Sequence, residues 1–257
     1  MTLLSDTGYI FVRYLKKLVR NPILLFFSLF QPIIFLVLFT QLLTKLSSFP
    51  GVLPVGVSYL QFATAGILLQ NAFGSSLQSG NSIVLDIDSG FLSKMLATPV
   101  SRPAILLGRL STDAFRVVIQ SAIILGIAYA LGANVTTGVI GILLVFFTIA
   151  FFGLAWSGIS LAIGMKTRTS ETLFSISFVL SFPLLFLSDA LFPINFLPSW
   201  VGDVAMFNPV NYAVNAIRAL MINGYVWHTI LPTWGVIALV AVVTLSATIY
   251  QFRKVVS

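Results

Sequence analysis

Five of the 21 charged side chains in this 257-residue chain crowd into LDIDSGFLSKMLATPVSRPAILLGR, residues 85–109. Asp86, Asp88, Lys94, Arg102 and Arg109 could complement exposed helix ends, pair with one another, or grip another protein. Catalysis would need other groups. The chain has no cysteine and one histidine, His228. Disulfides, thiolate metal sites and cysteine nucleophiles are therefore excluded. Most zinc sites and Ser–His relays lack a second member.

The spacing in this interval predicts a short amphipathic helix over 88–98. Phe91, Leu92, Met95 and Leu96 share one face, and Ser93, Lys94 and Ala97 share the other. Asp86 and Asp88 are expected at its positive end, with Lys94 later. Pro99 stops the helix by turning Thr98 away from α conformation. Ser101 and Pro103 suit the start of a new one. On that next helix Arg109, Asp113, Arg116 and Gln120 follow i, i+4, i+7, i+11 spacing and share a face. Two readings stand for this stripe: local pairing that eases charge into the membrane, or a lever joined to the short helix. The apolar face of the short helix needs a cover, either lipid headgroups or a groove on a cytoplasmic protein.

The elements that hold these residues are set by lipid. The chain is 58% hydrophobic and 8% charged, with a mean hydropathy of +1.03, whereas soluble domains are about 25% charged. Six stretches are long and apolar enough to be expected spans: 23–43, 55–77, 105–131, 138–163, 172–191 and 231–250. The basic run before residue 23 resembles the start of a signal peptide. The apolar run after it is too long and lacks a cleavage site, so it is expected to be retained. The second stretch is the most polar, carrying Gln61, Thr64, Gln70, Asn71 and Ser75. It should face other helices or a wet cavity.

Arg13, Lys16, Lys17, Arg20, Lys94, Arg102, Arg109, Lys166, Arg168, Arg253 and Lys254 fall on one side, with Arg116 deeper. Lys45 and Arg218 fall on the other. That asymmetry places both termini in the cytoplasm of a multi-pass cell-membrane protein and accounts for the net charge of +7 without nucleic acid. Trp200, Trp227 and Trp234 form an outer belt. Residues 6–20 pattern as a basic amphipathic helix in the headgroup plane, attracted to anionic lipid. The outer segment 192–224 is too apolar for a solvated loop and too proline-rich for a span. Two short helices, near 199–207 and 209–222, are expected there, dipping part-way in or lidding the bundle. In the second, Val210, Val214, Ile217 and Met221 line up beside Asn211, Asn215 and Arg218.

Three functional classes compete on this pattern. An ion-coupled secondary transporter needs an ionisable group at the midplane or broken-helix repeats. The acidic residues Asp6, Asp86, Asp88, Asp113, Glu171, Asp189 and Asp203 are expected at or outside span ends. A channel or scaffold is a further alternative. The third class is a passive permease driven by a partner. The chain has no G-x-x-x-x-G-K-[ST] sequence, so it cannot cradle a nucleotide in the P-loop manner.

The whole chain resembles the membrane permease of an ABC-2-type ATP-binding-cassette transporter, particularly the short daunorubicin-resistance and nodulation-factor export branch. Asp86, Gly90, Leu92, Thr98, Pro99 and Ser101 match that family's segment after span two, with Ile87 and Phe91 as departures. Asn208–Pro209, Tyr212–Ala213 and Arg218–Ala219–Leu220 match its outer signature, where Asn215 replaces a frequent Asp.

The resemblance implies an all-α membrane protein forming one domain over 1–257. That domain would comprise six transmembrane helices, an interfacial connecting helix at 1–22, a coupling-helix loop at 85–103 and outer re-entrant helices at 192–224. It implies a homodimer, a cytoplasmic ABC ATPase subunit that carries the ATP and Mg, and no cofactor on this chain. The cargo would be an amphipathic drug, lipid or lipid-linked saccharide. On this reading Phe91, Leu92, Met95 and Leu96 dock the ATPase, with Asp86, Asp88, Gly90, Lys94, Thr98 and Pro99 shaping the contact. Arg109, Asp113 and Arg116 would transmit movement. Phe27, Gln31, Phe35, Gln41, Gln70 and Asn71 would line the pathway. Asn208, Pro209, Asn211, Asn215 and Arg218 would build the outer re-entrant unit.

Overall fold

Prolines and glycines divide the chain into helices. In the computed structural model, which describes residues 3–43, 45, 53 and 56–256, α1 (Leu3–Val19) is followed at once by α2 (Pro22–Leu42). Then come α3 (Tyr59–Asp88), α4 (Phe91–Leu96), α5 (Arg102–Ala130), α6 (Gly138–Thr167) and α7 (Ser170–Phe186). A 3-10 turn (Ile194–Phe196), α8 (Ser199–Ala205), α9 (Pro209–Arg218), a π-turn (Ala219–Asn223) and α10 (Trp227–Val256) complete the order. The described residues contain no strand. Among them four helices, α2, α5, α6 and α10, are long and apolar enough to cross a membrane, and α7 is a shorter apolar helix. The expected start of the second stretch, Val55, and Met1 and Thr2 of the first segment lie outside the described residues.

The most polar long helix, α3, sits at the centre of the bundle, packed on α2, α5, α6, α7 and α9. Ser58 and Gln61 close a reciprocal capping box at its start. Small residues let its neighbours approach. Gly66 lies against the Ala190 backbone, Gly80 lies against Ser160, and a Cβ on Gly164 would come within 2.8 Å of the Gly80 carbonyl. Backbones this close gain dispersion contacts that larger side chains would prevent.

One large apolar cluster joins α3, α5, α6, α9 and α10. A smaller one gathers Ile10, Tyr14, Ile83, Leu92, Ile105 and Met165 at the other end of α3.

Helix α1 packs on α5. Asp6, Ile10 and Tyr14, one turn apart, are buried. A Cβ at Gly108 would meet Ile10 Cγ2 at 2.7 Å and the Thr7 carbonyl at 2.9 Å, so glycine is what permits the crossing. The middle of the amphipathic stripe is thus covered by protein, whereas Leu4, Tyr9 and Val12 stay exposed.

Two expectations need correction. The short helix covers Phe91–Leu96 rather than 88–98, because α3 runs on to Asp88. Nothing but Gly80 interrupts helix-compatible residues there, so the helix outlasts the apolar run. Asp86 therefore belongs to the last turn of α3 and caps nothing. The chain reverses at Gly90, whose φ of 67° lies in the left-handed region that glycine adopts without strain.

Candidate functional site

Antiparallel packing of α3 and α5 builds a ladder of polar contacts. On α5 the stripe is Arg109, Asp113 and Arg116. Facing it on α3 stand Ser75, Ser79, Ser82 and Asp86, which share the same i, i+4, i+7, i+11 spacing. Arg109 Nη2 donates to Asp86 Oδ2 at 2.9 Å and to Ser82 Oγ at 2.8 Å. Ser79 donates to Asp113. Arg116 donates to Asp113 Oδ1 at 2.9 Å, to the Ser75 hydroxyl at 2.9 Å and to the Ser75 carbonyl at 2.6 Å. One rung further, Asn71 Nδ2 reaches Ser121 Oγ at 3.5 Å. Gln120 continues the stripe but turns to Ser28 of α2, at 2.7 Å. The predicted stripe is real, and its partners are the serines of α3. Asp113 lies well inside α5 rather than at its end, its charge matched by Arg116.

Asp86 joins three helices. Besides Arg109, it accepts from the Tyr14 hydroxyl at 2.8 Å and meets Lys17 Nζ at 3.4 Å, both on α1. The Arg109 guanidinium also stands 4.7 Å from the centre of the Tyr14 ring. This junction lies beyond the apolar stretch 55–77. Burial pushes the Asp86 carboxyl up, but Arg109, the Tyr14 hydroxyl and Lys17 together hold it below its ordinary value of 3.8. The Tyr14 phenol is raised above 10.0, chiefly by burial and against the pull of Arg109.

Helix α4 hangs from this junction. Leu92 is 2% exposed, inserted among Ile10, Tyr14 and Ile105. Phe91, Met95 and Leu96 are half-buried, and Arg13 of α1 lies 3.5 Å over the Phe91 ring and 3.5 Å from Met95 Sδ. Of the expected docking face Phe91, Leu92, Met95 and Leu96, only Leu92 is buried, and the other three keep part of their surface open. Leu92 anchors this short helix among residues of α1 and α5, and Arg13 of α1 covers part of Phe91 and Met95. What α4 and its flanks leave exposed includes Asp88, Ser89, Ser93, Lys94, Ala97, Thr98 and Pro99. Asp6 Oδ2 accepts the Ser101 N–H at 3.3 Å, tying the start of α5 back to α1.

The other predicted groups divide. Phe27 and Gln31 line a groove between α2 and α3 with Gly74 and Gln78. Gln41 lines a separate one with Tyr59 and Gly132. Phe35 stacks on Phe39 at 4.9 Å against the core, and Asn71 is buried in the ladder. Gln70 is half-buried. Among the described residues the others are thus spread over two grooves, the core and the ladder. At the start of α9, Asn208 caps the helix by accepting from the Val210 N–H at 3.0 Å and donates to the carbonyls of Leu184 and Leu187 at 2.6 and 2.8 Å. Pro209 occupies the first turn. Arg218 grips Asp189 through Oδ2 at 2.5 Å and the carbonyl at 2.6 Å, touches Asn215 at 3.3 Å and stacks 3.7 Å over Phe62 of α3. Asn211 accepts the Asp189 N–H at 3.1 Å. Sequence reasoning missed Asp189 as this anchor; the only signal was an acidic residue on the side holding Arg218.

Comparison with known proteins adds a direct line of evidence. Residues 6–222 match the family model described as ABC-2 type transporter. A ycf38 transport permease of Cyanophora paradoxa is 33% identical over 230 residues, covering 84% of this chain and 77% of the relative. The daunorubicin resistance ABC transporter permease protein DrrB1 of Streptomyces coeruleorubidus is 29% identical over 201 residues, covering 78% and 69%. A ycf38 transport permease of Pyropia yezoensis is 26% identical over 253 residues, covering 95% and 84%. The matched region takes in the α1 seat, the α3–α5 ladder, α4 and the Asp189–Arg218 clasp, and the chain belongs to the ABC-2 type transporter family as a multi-pass membrane permease.

Proposed function

We propose that this chain is the membrane half of an ATP-driven exporter, working as a homodimer with a cytoplasmic ABC ATPase subunit that holds ATP and Mg. The observation that carries this reading is the mounting of α4. Its inner face is locked to α1 and the start of α5 through Leu92 and the Arg13–Phe91 stack, while Asp88, Ser93, Lys94, Ala97, Thr98 and Pro99 stay outward. A push on that rim reaches Asp86 and Arg109 through packed side chains rather than through a loose loop. On this proposal the outward rim meets the ATPase, Gly90 sets its angle, and Arg109, Asp113 and Arg116 pass movement along α5. Leu92, Phe91, Met95 and Leu96 secure the mount.

Six helices, α2, α3, α5, α6, α7 and α10, would cross the cell membrane, with both termini and α4 in the cytoplasm, as the distribution of basic residues supports. The whole chain would form one membrane domain. Segment 192–224 would dip in from outside, anchored by the Asp189–Arg218 clasp. The groove of Phe27, Gln31, Gly74 and Gln78 would meet its copy across the dimer, with the remaining polar residues Gln41, Gln70 and Asn71 supporting the path. A drug-resistance permease among the relatives supports an amphipathic drug as cargo; a lipid or lipid-linked saccharide shares the required chemistry.

The test is reconstitution in vesicles with and without the ATPase. Cargo movement that needs both subunits and ATP is the expected result. Movement driven by an imposed pH or sodium difference on the chain alone would overturn the proposal.

A further inference from the structure

A cavity of about 110 Å³ opens where α1, α3 and α5 meet. About 10–15 Å³ suffices for one water, so this space has room for a larger polar group. Lys17, Arg109, Arg116 and Asp113 all contribute to its wall, and Asp86 holds Lys17 and Arg109 from behind. Three cations face two carboxylates, which leaves one positive charge unmatched. The donor inventory shows the same surplus. Arg109 is 2% exposed, and its Nη2 serves Asp86 and Ser82, yet its buried Nη1 has no partner. An unsatisfied buried donor costs on the order of 1–3 kcal/mol, more when charged. Asn81, also on the wall, has a buried Oδ1 without a partner; turning its amide over presents the NH2 instead. Leu18 and half-exposed Leu85 flank these groups with apolar surface.

We infer that this cavity binds one phosphate group, held by Arg109 Nη1, Lys17, Arg116 and Asn81. The proposal is independent of the exporter reading. Guanidinium and ammonium donors converging from separate helices suit a tetrahedral oxyanion, and a single anionic group closes the charge balance. The phosphate could arrive on a phospholipid, whose chains would lie over Leu18 and Leu85, or as a free phosphate. An occupant would touch α1, α3 and α5 together and so favour the arrangement in which α1 is seated.

The experiment follows thermal unfolding of the full chain in a neutral maltoside detergent during titration at constant ionic strength. The probes are dioctanoyl phosphatidylglycerol, inorganic phosphate and dioctanoylglycerol, the last carrying the same chains without phosphate. The phosphatidylglycerol is expected to raise the midpoint saturably, and the dioctanoylglycerol to leave it unchanged. A matching rise with inorganic phosphate identifies phosphate alone as sufficient; its absence assigns the site to lipid. Asn81→Leu, which plugs the cavity and spares the ion pair, should abolish the saturable rise while keeping the ligand-free midpoint. Lys17→Gln should weaken the apparent affinity about tenfold, or 1.4 kcal/mol. A rise that survives Asn81→Leu and Lys17→Gln, or no rise with either phosphate probe, overturns the inference.

Discussion

Asp86 and Arg109 meet at 2.9 Å with side chains 5% and 2% exposed, and this contact joins the last turn of α3 to the first turns of α5. Both charges are out of water, so each depends on the other. Asp86→Ala strands Arg109 and should cost about 3–5 kcal/mol of stability. The paired change Asp86→Leu with Arg109→Met, which removes both charges and keeps volume, should cost less than the single change. Unfolding of the wild type, Asp86→Leu, Arg109→Met and the pair in detergent completes the cycle that measures the coupling.

The same junction predicts a pH profile. The Asp86 carboxyl lies below 3.8 in the folded protein, so its contribution is complete above that pH and is lost as pH falls through the folded value. Tyr14 lies above 10.0, so its contribution is complete below that pH and fades as pH rises further. Unfolding midpoints should be level between these limits and fall outside them. Asp86→Asn should flatten the acid limb and Tyr14→Phe the alkaline limb, each also softening the other limb because the two groups share a hydrogen bond.

Gly108 sets the approach of α1 to α5. Gly108→Val should force α1 outward against Ile10 and the Thr7 carbonyl, at about 1–3 kcal/mol. Limited proteolysis should then cut α1 faster, with membrane insertion unchanged. Adding Ile10→Ala should restore part of the protection, because only one of the two obstacles is a side chain.

Two residues two positions apart on α4 should behave oppositely. Leu92→Ala removes a buried anchor and should cost about 2–5 kcal/mol. Lys94→Glu alters an exposed position and should stay within about 0.5 kcal/mol of wild type. Under the exporter proposal Lys94→Glu nonetheless weakens co-purification with the ATPase, so stability and association separate cleanly.

Arg218→Met leaves the Asp189 carboxylate without its cation and should loosen the segment 192–224 that contains α8. Val201 is 4% exposed and the chain has no cysteine, so Val201→Cys gives a single reporter. Its thiol labelling should speed up on adding Arg218→Met.

Periodicity made much of this legible. The 6–20 pattern appears as α1, the pattern near 209–222 as α9 and its π-turn, with Val210, Val214, Ile217 and Met221 all buried as the stripe requires. The polar second stretch faces other helices, where Asn71 meets Ser121. The serine stripe of α3 was hidden because an isolated serine bonds its own helix as readily as a neighbour. Only the facing Arg109, Asp113 and Arg116 give Ser75, Ser79 and Ser82 meaning. Hydropathy located where apolar character ends, near residue 77, and could not locate where hydrogen bonding ends, at Asp88. The apolar side of α4 was visible in the sequence; which neighbour covers it depends on α1, some 80 residues earlier.

The rungs between α3 and α5 recur at every turn, from Asn71–Ser121 through Arg116 and Asp113 to Asp86. A slip of less than one turn, about 5.4 Å, would break them all together. The two helices therefore form a strut: they tilt or swing as a single piece, and any sliding between them has to advance like a ratchet, one tooth at a time.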